Sequence, residues 1–158
     1  MTVRKASVSE PVSAQPDELF ALITDLRRLH EWNKAINKIV ETPDHFVDGS
    51  QWVVEMKVMG AKWNSRSTRF ECSPELRRFA YVTQTDDGNP SRALWTWSLE
   101  PIDGGTEVTV DWELHPRTRF RNVMAAPVRH RQLINEVRRS IKAAEAMIAA
   151  DHAGARPT

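Results

Sequence analysis

The longest amphipathic segment of the chain is residues 127–150, which read PVRHRQLINEVRRSIKAAEAMIAA. Apolar side chains recur in it at steps of three and four, at Ile134, Val137, Ile141, Ala144 and Ile148. This spacing predicts one long helix with a single apolar face, about 36 Å in length at roughly 1.5 Å per residue. Such a helix can cross a whole sheet, because a strand of about ten residues has a similar length.

Between residues 36 and 115 the sequence alternates polar and apolar residues, which predicts β-strands. Turn signals interrupt the alternation at Asp48-Gly49, Met59-Gly60, Ser73-Pro74, Asp86–Pro90 and Asp103–Gly105. Six strands fit between these turns, and the connections are too short for helical crossovers. With a further alternating segment at Val3–Val12, the sequence predicts a seven-stranded antiparallel sheet built of hairpins.

Two short helices are predicted between the first two strands. Pro16 suits the first turn of one helix, and Asp25 suits the cap of a second helix that runs through Trp32. The apolar face of a sheet must pack against other elements, and the two short helices and the long helix are the elements that the sequence predicts for this role. We therefore expect one α+β domain at residues 1–150 and a frayed tail at residues 151–158.

Length, composition and charge exclude several classes of protein. The chain has 158 residues, 41% hydrophobic and 27% charged, with a formal net charge of +1. One globular domain is expected, and a nucleic-acid partner is not. Cys72 is the single cysteine, and no CxxC or HExxH motif occurs, so we expect no disulfide, no metal and no cofactor. We find no secretory signal and no stretch near the roughly 18–20 apolar residues of a membrane span, and we expect a cytoplasmic monomer or homodimer.

Tryptophan is unusually frequent, with six tryptophans against one tyrosine. Alternation places Trp52 and Met56 together on one face of a strand. It likewise places Trp95 and Trp97 on one face of another strand, and it places Trp112 on one face of the last strand. If the twisted sheet curls only partly around the long helix, these faces line a pocket, and a group of indoles suits an aromatic ligand. Alternatively, the tryptophans simply fill the core.

The order of these elements resembles the START-like superfamily, known for the helix-grip fold, and in particular its polyketide cyclase/dehydrase branch. The resemblance covers about residues 3–150. It rests on Leu29–Trp32 at the end of the helix pair, on GGTEVTV at residues 104–110 and on WNSRSTR at residues 63–69. It implies a curved sheet wrapped around the C-terminal helix, and it implies fold more firmly than activity, because this superfamily hosts lipid carriers, hormone receptors and cyclases.

The resemblance also implies site residues. Trp63, Ser67 and Arg69 are similar to the Trp, Ser and Arg on a cavity strand of aromatic polyketide aromatase/cyclases. Trp95 matches a further cavity residue, and Trp32 matches the tryptophan that ends the helix pair. The cavity tyrosine of that branch has no evident counterpart in this sequence.

Arg69, Ser67 and His130 are the candidate catalytic residues. If the face of Trp63 lines the cavity, the Arg69 guanidinium would stabilise a ligand carbonyl or enolate, with a hydrogen bond added by Ser67. Two alternatives remain open for Arg69: an ion pair with Glu71 or another acid, and exposure to solvent. His130 interrupts the apolar stripe of the long helix, where it would either move protons at the cavity mouth or only cap the stripe.

The sequence favours binding of a hydrophobic, aromatic or polyketide-like small molecule in the cavity. The predicted ligand-binding residues are Trp32, Trp52, Met56, Trp63, Trp95, Trp97, Trp112 and Ile134. The alternative is a cyclase/aromatase-like enzyme that catalyses aldol cyclisation and dehydration in the same cavity. A third hypothesis is an interaction module whose apolar groove accepts a partner helix or a lipid. The basic residues at 117–121 and 129–131 form either a solvated face or a surface that steers an acyl-carrier protein or an anionic ligand to the mouth.

Overall fold

The computed structural model describes residues 3–118 and 126–155 of the chain. Its strands are β1 (Arg4–Val12), β2 (Ile36–Glu41), β3 (Gln51–Val58), β4 (Ala61–Ser73), β5 (Arg78–Thr85), β6 (Arg92–Ile102) and β7 (Gly105–His115). They form one seven-stranded antiparallel sheet in the order β1-β7-β6-β5-β4-β3-β2. The predicted sheet is confirmed: β2 to β7 follow one another as hairpins, and β1 pairs with β7.

Tight turns fix the register between the strands. Between β3 and β4, Met59 and Gly60 both have positive φ, at 51° and 83°. Two successive residues with positive φ make the hairpin turn whose twist matches that of the flanking strands. As a result Trp52 on β3 lies directly opposite Ser67 on β4, and both are buried.

Two short helices and a 3₁₀ turn connect β1 to β2, as predicted. Helix α1 is Pro16–Ile23, the 3₁₀ turn is Leu26–Arg28 and helix α2 is Leu29–Trp32. The Asp25 side chain caps the turn, because its Oδ1 accepts a hydrogen bond from the Arg27 backbone N–H at 3.2 Å. The apolar residues of this segment join the core under the sheet.

The long helix α3 spans Ala126–Ala155 and continues past the predicted end at residue 150. The tail expected to fray from Asp151 is therefore helical as far as the structure describes it, and only the last three residues lie outside that description. Contacts with the helical connection hold it in place. Asp151 Oδ2 lies 3.7 Å from Arg28 Nη2, and His152 Nε2 lies 2.7 Å from Glu18 Oε2.

Helix α3 lies to one side of the concave face. Its main contacts are with β1, α1, α2 and β7, and Glu145 Oε2 accepts a hydrogen bond from the Ser13 backbone N–H at 2.7 Å. The buried stripe differs from the predicted one at its start, where Leu133 is buried and Ile134 is only partly buried. No helix in the described part of the chain is long and apolar enough to span a membrane.

Gly105 marks a close approach between the start of β7 and the end of β1. A Cβ atom at this position would lie 1.9 Å from the Val12 carbonyl oxygen, and the sheet holds both strands in place. We expect Gly105→Ala to lower the free energy of unfolding by roughly 2–3 kcal/mol in chemical denaturation. Gly154→Ala is the control, because open space surrounds Gly154 in α3, and it should raise stability by up to about 1 kcal/mol. Equal stabilities of the two variants would contradict this packing.

Candidate functional site

A cavity of about 650 Å³ lies between the concave face of the sheet and helices α2 and α3. This volume falls within the usual range for small-molecule sites. Strand alternation brings aromatic rings from neighbouring strands to the same face. The rings that line the cavity are Trp32, Trp52, Trp63, Phe79, Tyr81, Trp95 and Trp97.

Contacts between these rings hold the aromatic wall in shape. The Trp52 ring stacks on Phe79, with centroids 6.0 Å apart, and meets the Tyr81 ring edge-on at 5.4 Å. Beside them, the Trp97 ring on β6 meets the Trp32 ring of α2 edge-on at 5.4 Å. Offset stacking and edge-on contact are the geometries that aromatic pairs favour. The wall therefore exists before a ligand enters.

Tyr81 brings a phenol to the cavity. Its hydroxyl oxygen accepts a hydrogen bond from Trp97 Nε1 at 3.1 Å. Burial raises the pKa of Tyr81 to about 12, and the hydrogen bond from Trp97 offsets only part of that effect. The phenol therefore stays protonated near neutral pH. Its proton has no acceptor within the described residues, so it remains available to a ligand oxygen.

A group of hydroxyls interrupts the apolar wall. In the β4–β5 ladder Ser67 lies opposite Thr83, and Ser65 lies opposite Thr85. All four line the cavity, and both serines are buried. The Thr85 hydroxyl donates to Asp87 Oδ1 at 2.8 Å, whereas Ser65, Ser67 and Thr83 have no side-chain hydrogen bond within the part of the chain that is described. We call these three residues the hydroxyl patch.

The charged side chains of the lining are balanced. On α3, Arg129 Nη1 lies 2.6 Å from Glu136 Oε1, and the Arg129 guanidinium carbon lies 5.9 Å from the centre of the Trp63 ring. The β5–β6 hairpin adds one charge of each sign with Asp87 and Arg92. The lining therefore presents no net charge to a ligand.

Arg69 does not line the cavity, although alternation puts it on the concave side of β4. Its Nε donates to Asp48 Oδ1 at 2.9 Å, and its Nη1 donates to the Phe46 carbonyl oxygen. The guanidinium carbon also lies 4.6 Å from the centre of the Phe46 ring, which packs edge-on against Trp52. Of the alternatives for Arg69, the contacts match the structural ion pair, and its partner is Asp48 rather than Glu71.

Three further predicted site residues also lie outside the lining. His130 and Ile134 are on α3 but are not among the residues that face the cavity. Trp112 is 1% exposed, stacks on Trp95 at 5.4 Å and belongs to the core. The predicted residues that do line the cavity are Trp32, Trp52, Met56, Trp63, Ser67, Trp95 and Trp97. The face of β4 that lines it is thus the one with Trp63.

Sequence reasoning missed several lining residues. It found no cavity tyrosine, yet Tyr81 is one, and alternation along β5 groups it with Phe79 and Thr83 on one face. Arg129 and Glu136 were also missed. Their spacing of seven residues places both on one face of a helix, but they lie beside the apolar stripe on which the prediction was based.

The remaining chemical groups offer less to a ligand. Burial raises the pKa of the Cys72 thiol, which favours its protonated form. Within residues 3–118 and 126–155, no group of three or more His, Cys, Asp or Glu side chains is arranged to hold a metal ion. Of the basic run at 117–121, Arg117 is exposed, and residues 119–121 lie outside the described residues.

Comparison with known proteins bears on both fold and family. A family model described as polyketide cyclase / dehydrase and lipid transport matches residues 3–150. No curated protein sequence matches the chain.

Solved structures share the architecture at low sequence identity. A protein from Thermus thermophilus is 18% identical, with 94% of this chain and 99% of that chain covered and a TM-score of 0.74. An aromatase/cyclase from a Streptomyces species is 13% identical, with coverage of 92% and 93% and a TM-score of 0.75. A START superfamily protein from Mycobacterium smegmatis is 15% identical, with coverage of 92% and 97% and a TM-score of 0.74. These similarities confirm the predicted helix-grip fold.

Tyr81 is the single tyrosine of the chain, so tyrosinate absorbance reports on this residue alone. Its pKa is raised from 10.0 to about 12 in the folded protein. A raised pKa means that the folded state binds its proton more tightly than the unfolded state, so stability should be unaffected below pH 10 and fall as the pH rises toward 12. Ultraviolet titration of the native protein should give a tyrosinate midpoint near pH 12, or a sharp rise in tyrosinate absorbance if the protein unfolds first. Tyr81→Phe should remove this change in absorbance. A native midpoint at 10 would show that the phenol is solvated.

Proposed function

The chain belongs to the polyketide cyclase / dehydrase and lipid transport family, and on that premise we propose that it binds an uncharged, aromatic small molecule in its cavity. The observation that carries the proposal is a space of about 650 Å³, walled by aromatic rings, that the chain's own side chains leave unfilled. Large apolar pockets with a few polar groups are the usual form of small-molecule sites.

The walls suit a flat ring system. Trp52 on β3 contacts Phe79 and Tyr81 on β5 across the intervening β4, and the three rings form a continuous aromatic surface. Trp32 with Trp97 faces the same space. A ligand ring buried among them would lose roughly 150–250 Å² of exposed surface, worth about 4–6 kcal/mol before the entropy of binding is subtracted. This gain is enough for measurable affinity without any charged contact.

The charges around the cavity favour an uncharged ligand. Arg129 and Glu136 already neutralise each other at 2.6 Å, and a ligand carboxylate or ammonium beside this pair would have to displace one of them. A charged group that leaves water without a partner pays a desolvation penalty of several kcal/mol. Neutral ring compounds avoid it.

A cyclase-like activity is a second candidate, and Tyr81 is the observation that favours it. A protonated phenol in the lining can donate a hydrogen bond to a ligand carbonyl and stabilise the negative charge that develops on it in an aldol step. If this activity exists, Tyr81→Phe should lower kcat on a poly-β-carbonyl substrate and leave the affinity for an inert aromatic probe nearly unchanged.

The binding proposal is tested with 1-aminoanthracene, a neutral aromatic probe whose fluorescence rises in apolar surroundings. We expect saturable binding to the parent protein. Ala93 lines the cavity on β6, and Ala93→Trp would place an indole in the space that the probe needs. This variant should bind the probe at least about fivefold more weakly, because overpacking costs roughly 1–3 kcal/mol.

The control for this test is Leu94→Trp, which adds an indole to the adjacent position on the opposite face of β6. It should bind the probe as the parent does. If the parent does not bind 1-aminoanthracene, or if Ala93→Trp binds it as tightly as the parent, the proposed function is wrong.

A further inference from the structure

The hydroxyl patch on β4 and β5 groups three hydroxyls of the cavity lining that make no side-chain hydrogen bond within the described residues. Ser67 is 3% exposed and Ser65 is 9% exposed, and both line the cavity with Thr83. An unpaired hydroxyl in a buried place carries a desolvation penalty. Two buried serines with the half-buried Thr83 on one face point to a partner that enters the cavity, either water or a ligand.

The register fixes the spacing of these hydroxyls. Ser67 and Thr83 are directly opposite in the antiparallel pair, so their Cβ atoms are about 4.5–5.5 Å apart. Ser65 lies two residues along β4, about 7 Å from Ser67. Oxygen atoms on alternate carbons of a six-membered ring have a similar separation to the Ser67–Thr83 pair. Two ligand oxygens on one edge can therefore be bound at once.

Aromatic residues flank the patch on both sides. On β3, Trp52 lies directly opposite Ser67. On β5, Tyr81 lies two residues from Thr83 on the same face, and it pairs with Trp95 of β6. A flat ring that stands between these aromatic side chains would direct an edge, rather than a face, at the hydroxyls.

The arginines of β4 and α3 nearest the patch are bonded to other groups, and Arg92, which lines the cavity on β6, is exposed. Arg66 points to the outer face of β4, where it contacts Asp86 Oδ1 at 2.9 Å. Arg69 is bonded to Asp48 at 2.9 Å, and Arg129 is paired with Glu136 across the cavity. A hydroxyl both donates and accepts, so its suitable partners are phenol or ketone oxygens rather than a carboxylate.

We propose that the hydroxyl patch is a polar subsite that selects aromatic ligands with two uncharged oxygen atoms on one edge. This inference rests on the proposed binding function and names the ligand chemistry that the site would take. Ser67 and Thr83 each bond one oxygen, and Ser65 extends the subsite along β4.

Two isomers test the proposal, because they have the same composition and differ only in where the oxygens lie. In 1,3-dihydroxynaphthalene both oxygens are on one ring edge, whereas in 1,5-dihydroxynaphthalene they are on opposite edges. Competition against bound 1-aminoanthracene should give a preference of roughly threefold to tenfold for the 1,3 isomer, which is the value of one additional net hydrogen bond. The parent protein alone gives this result, so the test does not depend on a variant that folds.

Two double variants test whether the hydroxyl patch causes the preference for the 1,3 isomer. Ser67→Ala/Thr83→Val should bind the two isomers equally and change the affinity for 1-aminoanthracene less than twofold. Ser98→Ala/Thr96→Val removes the same two hydroxyl types from β6, where neither residue lines the cavity, and it should keep the parent's preference. If the Ser67→Ala/Thr83→Val variant does not fold, the single variants Ser67→Ala and Thr83→Val are measured instead. Each should show a reduced preference for the 1,3 isomer.

The outcomes separate the two proposals. If the parent fails to bind 1-aminoanthracene, the proposed binding function fails, and this inference fails with it. If the probe binds but the isomers compete equally, the subsite is wrong while the binding function stands. The same holds if Ser67→Ala/Thr83→Val keeps the preference, or if Ser98→Ala/Thr96→Val also loses it.

Discussion

The cavity depends on the asymmetric packing of α3, whose C-terminal half is fixed against β1, β7 and α1. Ile141 and Ala144 are each 1% exposed in that contact, and Glu145 accepts the Ser13 backbone N–H at 2.7 Å. The helix therefore lies over the β1 side of the sheet, and β3 to β5 curve away from it without a helix to fill the space. A helix centred on the sheet would instead occupy this space.

The asymmetry also explains where the polar groups lie. On the side that α3 covers, inward residues such as Val108 and Val110 are fully buried and apolar, and the buried Thr106 hydroxyl donates to the Ala14 carbonyl oxygen at 2.7 Å. On the uncovered side, the same face of the sheet presents Ser65, Ser67 and Thr83, which no other side chain satisfies within the described residues. Polar groups are tolerated there because the cavity admits water or a ligand, whereas in a packed core each would carry a desolvation penalty. The chemistry of the wall thus follows from the position of one helix.

The sequence was sufficient for the fold and for much of the cavity wall, because both depend on periodicity. The alternation that placed Trp52 and Trp97 on inward faces needs only the pleat of a strand. Alternation does not show how far an inward residue lies from α3. That distance decides whether the residue lines the cavity or belongs to the packed core. Trp112 illustrates the difference: it has the inward parity of Trp95, but the packed part of the sheet encloses it.

Arg69 shows why a motif on the right face of a strand is weak evidence for catalysis. Beside Arg69 the chain before β3 still pairs with β4 through backbone hydrogen bonds from Gly49 and to Ser50, and a β-bulge between Arg69 and Glu71 interrupts the pairing with β5. The loop before β3 then folds over this end of the sheet, and Arg69 binds it through Asp48 and the Phe46 carbonyl. Because the Phe46 ring contacts both the guanidinium and Trp52, the arginine helps to hold one end of the aromatic wall closed. In this chain the residue therefore shapes the cavity from outside, and its guanidinium is not among the groups that line the cavity.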